Sequence, residues 1–120
     1  MKRRIHSFKH AIRGIRMVIK SEKNMQIHLV VAVLVVLAGW FLNITTTEWM
    51  LCLLCFGLVF GAEMVNTSIE NLVDLVSPQR HELAGKAKDM AAGAVLISAL
   101  FAACVGLIIF IPKIWNLFFS

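Results

Sequence analysis

The chain has 120 residues, 59% of them hydrophobic and 16% charged, and carries a formal net charge of +5. Its mean hydropathy is +0.80, whereas ordinary soluble domains hold about 45–50% apolar residues and so short a chain cannot enclose the excess in one core. This excludes an ordinary soluble domain and leaves a single all-α integral membrane domain over 1–120, with nothing that points to nucleic acid.

In the N-terminal arm, KRRIHSFKHAIRGIRMVIKSEKN, apolar residues recur at Ile5, Phe8, Ile12, Ile15 and Ile19. That spacing puts them on one helical face, with Lys9, Arg13, Arg16 and Lys20 largely elsewhere. It predicts an amphipathic helix over 1–24 lying in the membrane surface, anchored by anionic lipid, with cations free to meet phosphates. Glu22, the only acid of the arm, reads as a solvated charge balancing Lys20 and Lys23.

The first apolar run, LVVAVLVVLAGWFL at 29–42, is 14 residues long, or about 21 Å as a helix. It borrows Met25 to His28 to form a first membrane helix over 25–43. It starts far from the N-terminus, no A-x-A site follows and a second span comes soon after, so it is not a signal peptide. The loop NITTTE at 43–48 holds a weak sequon, Asn43-Ile44-Thr45. The second run, WMLCLLCFGLVFGA, continues as EMVNTSIENLVD and predicts a helix over 48–76 that Pro78 breaks. The third, AAGAVLISALFAACVGLIIFI at 91–111, alone reaches the ~20 residues of a spanning helix. Pro112 and Lys113 stop it, and the expected third helix covers 86–111.

Eight Lys and Arg residues precede the first span, Arg80, Lys86 and Lys88 lie between the second and third, and the 43–48 loop has none. The positive-inside rule makes the N-terminus and the 77–90 loop cytoplasmic and puts Asn43 and the C-terminus outside. Cys52, Cys55 and Cys104 all fall within spans and read as small apolar filler.

The unusual feature is the polar face of the second span. Glu63, Asn66, Glu70 and Asp74 are spaced by 3, 4 and 4 positions, so at about 100° per residue they share one side of a helix. Met64, Val65, Leu72 and Val73 occupy the other side. Acids facing lipid would be intolerable, so this face looks into a bundle or a wet cavity. Glu70 and Asp74 should emerge at the cytoplasmic surface, with Glu63 about 10 Å deeper. Two carboxylates at different depths suit a reaction between a water-soluble reagent and a lipid headgroup. The loop that follows, SPQRHELAGKAKDM, is not a P-loop, because Lys86 lacks the glycine six residues upstream and the Ser or Thr after it. Lysine beside an acidic face still suits magnesium and triphosphate.

The stretch from Glu63 to Asp74 resembles the signature of the prokaryotic diacylglycerol kinase family, E-x-x-N-[ST]-[SA]-I-E-x-x-V-D. HELAGKAKD at 81–89, Arg13-Gly14-Ile15-Arg16 and Glu22 extend the likeness over nearly the whole chain. The resemblance implies a homotrimeric, ATP- and Mg2+-dependent lipid kinase with sites between protomers, in the bacterial inner membrane. It implies Glu63 as general base for the lipid hydroxyl, Glu22 and Glu70 as metal ligands, and Asn66 and Asp74 as organising residues. Arg3, His10, Glu22, Glu70, Arg80, His81, Lys88 and Asp89 would meet the nucleotide, and Arg16 with Glu63 the lipid. His10 and Arg80 stand where diacylglycerol kinases carry aromatic residues, and His28 where they carry a glutamate. The stretches at 22–28, 47–50 and 106–113 are similar to the undecaprenol kinase branch, which makes undecaprenol the expected substrate and diacylglycerol the alternative. A small proton-coupled transporter relaying protons through Glu63 is the competing reading from a different class.

Overall fold

A computed structural model describes residues 2–120. Four helices follow one another: α1 Lys2–Ser21, α2 Lys23–Phe41, α3 Thr46–Val76 and α4 Glu82–Phe119. The last three are long and apolar enough to cross a membrane, and the protein is an all-helical membrane protein.

The break between α1 and α2 falls on one residue, Glu22, whose backbone is extended (φ −101°, ψ 115°). No proline or glycine marks it. The Gln26 side-chain amide donates to the carbonyls of Ile19 (3.0 Å) and Lys20 (3.3 Å), which satisfies acceptors that the end of α1 leaves open. The arm therefore ends as a helix at Ser21 rather than at 24, and Lys23 and Asn24 open α2. Gly14 of α1 lies against Met64 of α3, whose Cε would be 4.0 Å from a Cβ there. Ile5, Phe8, Ile12 and Ile15 are exposed, whereas Val18 is buried.

The α2–α3 turn is tight. Asn43 takes a left-handed φ of 52°, a conformation that asparagine tolerates better than most residues. Thr45 and Glu48 form a reciprocal capping box, with bonds of 3.2 and 2.8 Å, which starts α3 at Thr46, two residues before the expected 48. Ile44 and Trp49 fold back onto Gly39, where a Cβ would stand 2.9 Å from each. Ile44, Cys52 and Ile109 form a small core at this end, with Val35, Leu42, Trp49 and Phe56 packed on it.

Ser77 caps α3, and Pro78 follows. Helix α4 then departs from expectation at both ends. It starts at Glu82, because the His81 Nδ1 accepts the Leu83 backbone N–H (3.1 Å) and caps it. It also runs through Pro112 to Phe119 instead of stopping at 111. A proline removes one helical N–H, and a long apolar helix carries that defect where its remaining backbone groups stay paired. Lys113, expected to help end the helix, pairs with Glu48 across α3 at 3.1 Å.

Helices α3 and α4 pack along each other, while α1 and α2 lean more lightly on them. Val30, Leu34, Leu37, Leu54 and Phe101 lie more than half exposed, as befits helices whose solvent is lipid.

Candidate active site

Glu63 is the largest fully buried side chain of the described residues, with 1% of its surface exposed. Neither carboxylate oxygen has a hydrogen-bond partner. Its only ion-pair neighbour among the described residues is His28 of α2, whose Nε2 lies 3.8 Å from Oε2. An unpartnered carboxylate in such a place is costly, and functional sites are where such costs are retained.

One turn on, Asn66 is also buried. Its Nδ2 donates to Glu70 Oε1 at 3.2 Å, while its Oδ1 has no partner. The Thr67 hydroxyl donates to the Glu63 carbonyl at 3.0 Å and ties down the backbone beneath the carboxylate. Burial falls along the face, from Glu63 and Asn66, which are buried, through half-buried Glu70 to exposed Asp74. At the exposed end Asp74 Oδ1 accepts from the Lys88 ammonium at 2.7 Å, which ties α3 to α4.

Glu22 does not balance Lys20 or Lys23, since it pairs with neither. It sits half-buried at the α1–α2 break, and its charge, like that of Glu70, acts on the Glu63 carboxyl. The structure thus gathers Glu22, Glu63, Asn66 and Glu70, with Asp74 and Lys88 above them. Arg80 and Asp89 are exposed near the start of α4 and form no ion pair. His81 spends its Nδ1 on the α4 cap. Arg3, His10 and Arg16 are exposed along α1, and none of them pairs with an α3 acid within the chain. Lys86 makes an exposed i,i+4 pair with Glu82 at 3.6 Å.

Among the described residues no group of three or more His, Cys, Asp or Glu side chains is arranged to hold a metal ion. Glu22 and Glu70 nevertheless offer two hard carboxylates, and Glu70 is engaged only by an amide. That donor set fits Mg2+, which commonly takes one or two carboxylates and completes its shell with water and substrate phosphates.

A cavity of about 270 Å³ opens between α2, α3 and α4, walled by His28, Val31, Cys52, Phe56, Phe60 and Ala103 among others, and His28 stands between it and Glu63. Cys55 lines it too, so two of the three cysteines serve as its wall.

Comparison with known proteins gives this constellation its class, a phosphotransferase with an alcohol acceptor. The chain belongs to the prokaryotic diacylglycerol kinase family, whose model matches residues 9–110. Among its relatives is the undecaprenol kinase of Bacillus subtilis, 43% identical over 108 residues, which cover 90% of this chain and 88% of that protein. The diacylglycerol kinase of Synechocystis sp. is 37% identical over 92% of this chain and 64% of its own length. That of Haemophilus influenzae is 31% identical over 78% of this chain and 80% of its own.

Two site residues escaped the sequence reading. Thr67 shares the polar face by spacing, about 40° from Glu63, but a threonine in a span is unremarkable without its bond. His28 is a lone histidine in an apolar helix, and only the approach of α3 reveals its neighbour.

Proposed function

We propose that the protein is an ATP- and Mg2+-dependent lipid kinase that transfers the γ-phosphate to the hydroxyl of a membrane lipid alcohol, undecaprenol in preference to diacylglycerol. The observation that carries this reading is Glu63, a buried carboxylate with both oxygens unpartnered, separated from an apolar cavity by His28 of its wall. Such a group is free to accept a proton from a substrate that arrives through apolar surroundings.

The reaction runs as an in-line transfer. Glu63 takes the hydroxyl proton as the alcohol oxygen bonds to the γ-phosphorus. The bond between that phosphorus and the oxygen bridging to the β-phosphate breaks, and ADP leaves with the electron pair. Asn66 holds Glu70 by its amide, while Asp74 holds Lys88 towards the phosphates. Magnesium, bound by Glu22 and Glu70 with the nucleotide, would offset charge on the phosphate oxygens. His81, Asp89, Arg80, Arg3 and His10 complete the nucleotide's surroundings, and Arg16 meets the lipid headgroup.

Three such chains form a trimer with sites between protomers, which brings the exposed cations of one α1 to the acids of another chain. Helix α1 lies in the cytoplasmic surface of the inner membrane, the 77–90 loop is cytoplasmic and the C-terminus is outside. The preference for undecaprenol rests on the 43% identity to the Bacillus subtilis enzyme along most of both chains. A proton-coupled transporter finds less support, because Glu63 is the one buried acid among the described residues. The half-buried Glu22 and Glu70 lie on its side of the chain, which leaves the outer half of the spans without a buried acid.

The test is phosphate transfer from labelled ATP, in mixed micelles, to undecaprenol and diacylglycerol in parallel, with Glu63→Gln as control. Preferential labelling of undecaprenol supports the reading. Preference for diacylglycerol reassigns the substrate, and transfer to neither sinks the kinase.

A further inference from the structure

His28 has no part in the scheme above, yet it holds a singular position. Its ring is one wall of the apolar cavity, and every other lining side chain there is apolar, cysteine or glycine. A polar ring in such a wall carries a desolvation cost unless it meets a partner. Glu63 has the complementary problem, because it is buried with no donor on either oxygen. The two groups face each other across 3.8 Å. That exceeds a hydrogen bond, and closure by about 1 Å would make one. Active-site contacts of this kind are often long without substrate and tighten with it.

The surroundings favour this assignment. Glu22, from the α1–α2 junction, and Glu70, one face along α3, both place negative charge on the Glu63 carboxyl. Helix α4 presents only Ala99, Ala102, Ala103, Val105 and Gly106 to the cavity. Asn66, one turn along α3, already donates its amide to Glu70 at 3.2 Å, so His28 is the group from a neighbouring helix placed to hold the Glu63 carboxylate.

We propose that His28 is the positioning residue of Glu63: its Nε2–H donates to Oε2 and orients the carboxylate, leaving Oε1 free for the proton of the lipid hydroxyl. An imidazole donates from a ring nitrogen whether neutral or charged, so the arrangement needs only the Nε2–H tautomer. The assignment rests on Glu63 acting as the base.

Two substitutions in the full chain separate orientation from packing. His28→Phe keeps a ring in the cavity wall and removes the donor, while His28→Gln loses the ring and keeps an N–H. With MgATP and undecaprenol in mixed micelles, His28→Phe should lower kcat about 10- to 100-fold, the scale of losing a partner that orients an active group. KM for MgATP should stay within about threefold, and His28→Gln should recover most of kcat. The opposite ranking, with Phe tolerated and Gln inactive, would assign His28 to packing and overturn the proposal. A second arm needs no turnover: the ¹⁵N resonance of His28 Nε2 is compared between the wild type and Glu63→Gln without ATP or lipid. A changed resonance is expected, and an unchanged one overturns the pairing. Should the wild type phosphorylate neither lipid, the kinase reading fails by itself while the resonance still decides the pairing.

Discussion

Replacing Glu63 with glutamine should remove the chemistry and leave the fold. The two side chains are nearly isosteric, and neither oxygen of Glu63 makes a hydrogen bond that the fold would lose. The bond from Thr67 goes to the backbone carbonyl of residue 63, so it survives the change. A buried carboxylate without donors costs more than a neutral amide in the same place, so thermal stability should hold or rise. The rate should not. A positioned general base contributes about 10²–10⁴-fold, which at 1.36 kcal/mol per decade is about 3–5 kcal/mol of barrier. Because Glu70, Asp74 and Lys88 remain, KM for MgATP should barely move. The assay is labelled phosphate transfer at saturating lipid, with thermal unfolding in the same micelles. Folded Glu63→Gln that keeps kcat within about tenfold of wild type would show that Glu63 is not the base. Loss of the folded protein would make its role structural.

The remaining expectations concern the rest of the site and its frame. Asp74→Asn and Lys88→Met should each raise KM for MgATP by about 3- to 10-fold, and the double variant should lose less than the two effects combined, because the residues share one contact. Steady-state kinetics at varied MgATP checks both points. Gly39→Ala should destabilise the protein, because a Cβ at 2.9 Å from Ile44 and Trp49 overpacks at about 1–3 kcal/mol against a helix gain of about 1 kcal/mol. Gly85→Ala meets open space and should gain up to about 1 kcal/mol, so thermal unfolding should move in opposite directions for the two. Ala103→Phe puts a ring into the 270 Å³ cavity and should raise the apparent KM for undecaprenol about tenfold or more, with KM for MgATP unchanged. Equal effects on both substrates would separate the cavity from lipid binding.

The polar face of α3 was legible because a helix repeats its own faces: positions 63, 66, 70 and 74 fall together whatever surrounds them. The same regularity made three apolar helices readable. What periodicity does not encode is the meeting of one helix with another. His28 carries no signal along α2, and its role depends on where α3 passes. Composition alone made Glu22 a surface charge and only the resemblance put it in the site, since its half-buried place follows from a backbone break at one residue without glycine or proline. Pro112 misled in the other direction. The rule that proline ends a helix gives way where neighbouring groups can satisfy the freed carbonyl, and α4 continues through Pro112 to Phe119.

The frame explains why the acids can hold their positions. Helix α3 is pinned to α4 near both ends, by Glu48–Lys113 at 3.1 Å and Asp74–Lys88 at 2.7 Å, about 39 Å apart along its axis. Each pair is partly exposed, and neither alone would contribute much to stability. Together they limit sliding of α3 along α4, so Glu63, Asn66 and Glu70 ride on one element whose register is set twice. Phosphoryl transfer asks the protein chiefly for position, and small misplacements of a reacting group are costly in rate. If Glu63 is the base and His28 its orienting partner, the proposed chemistry rests on the element whose register is set twice, with the histidine on the more lightly packed α2.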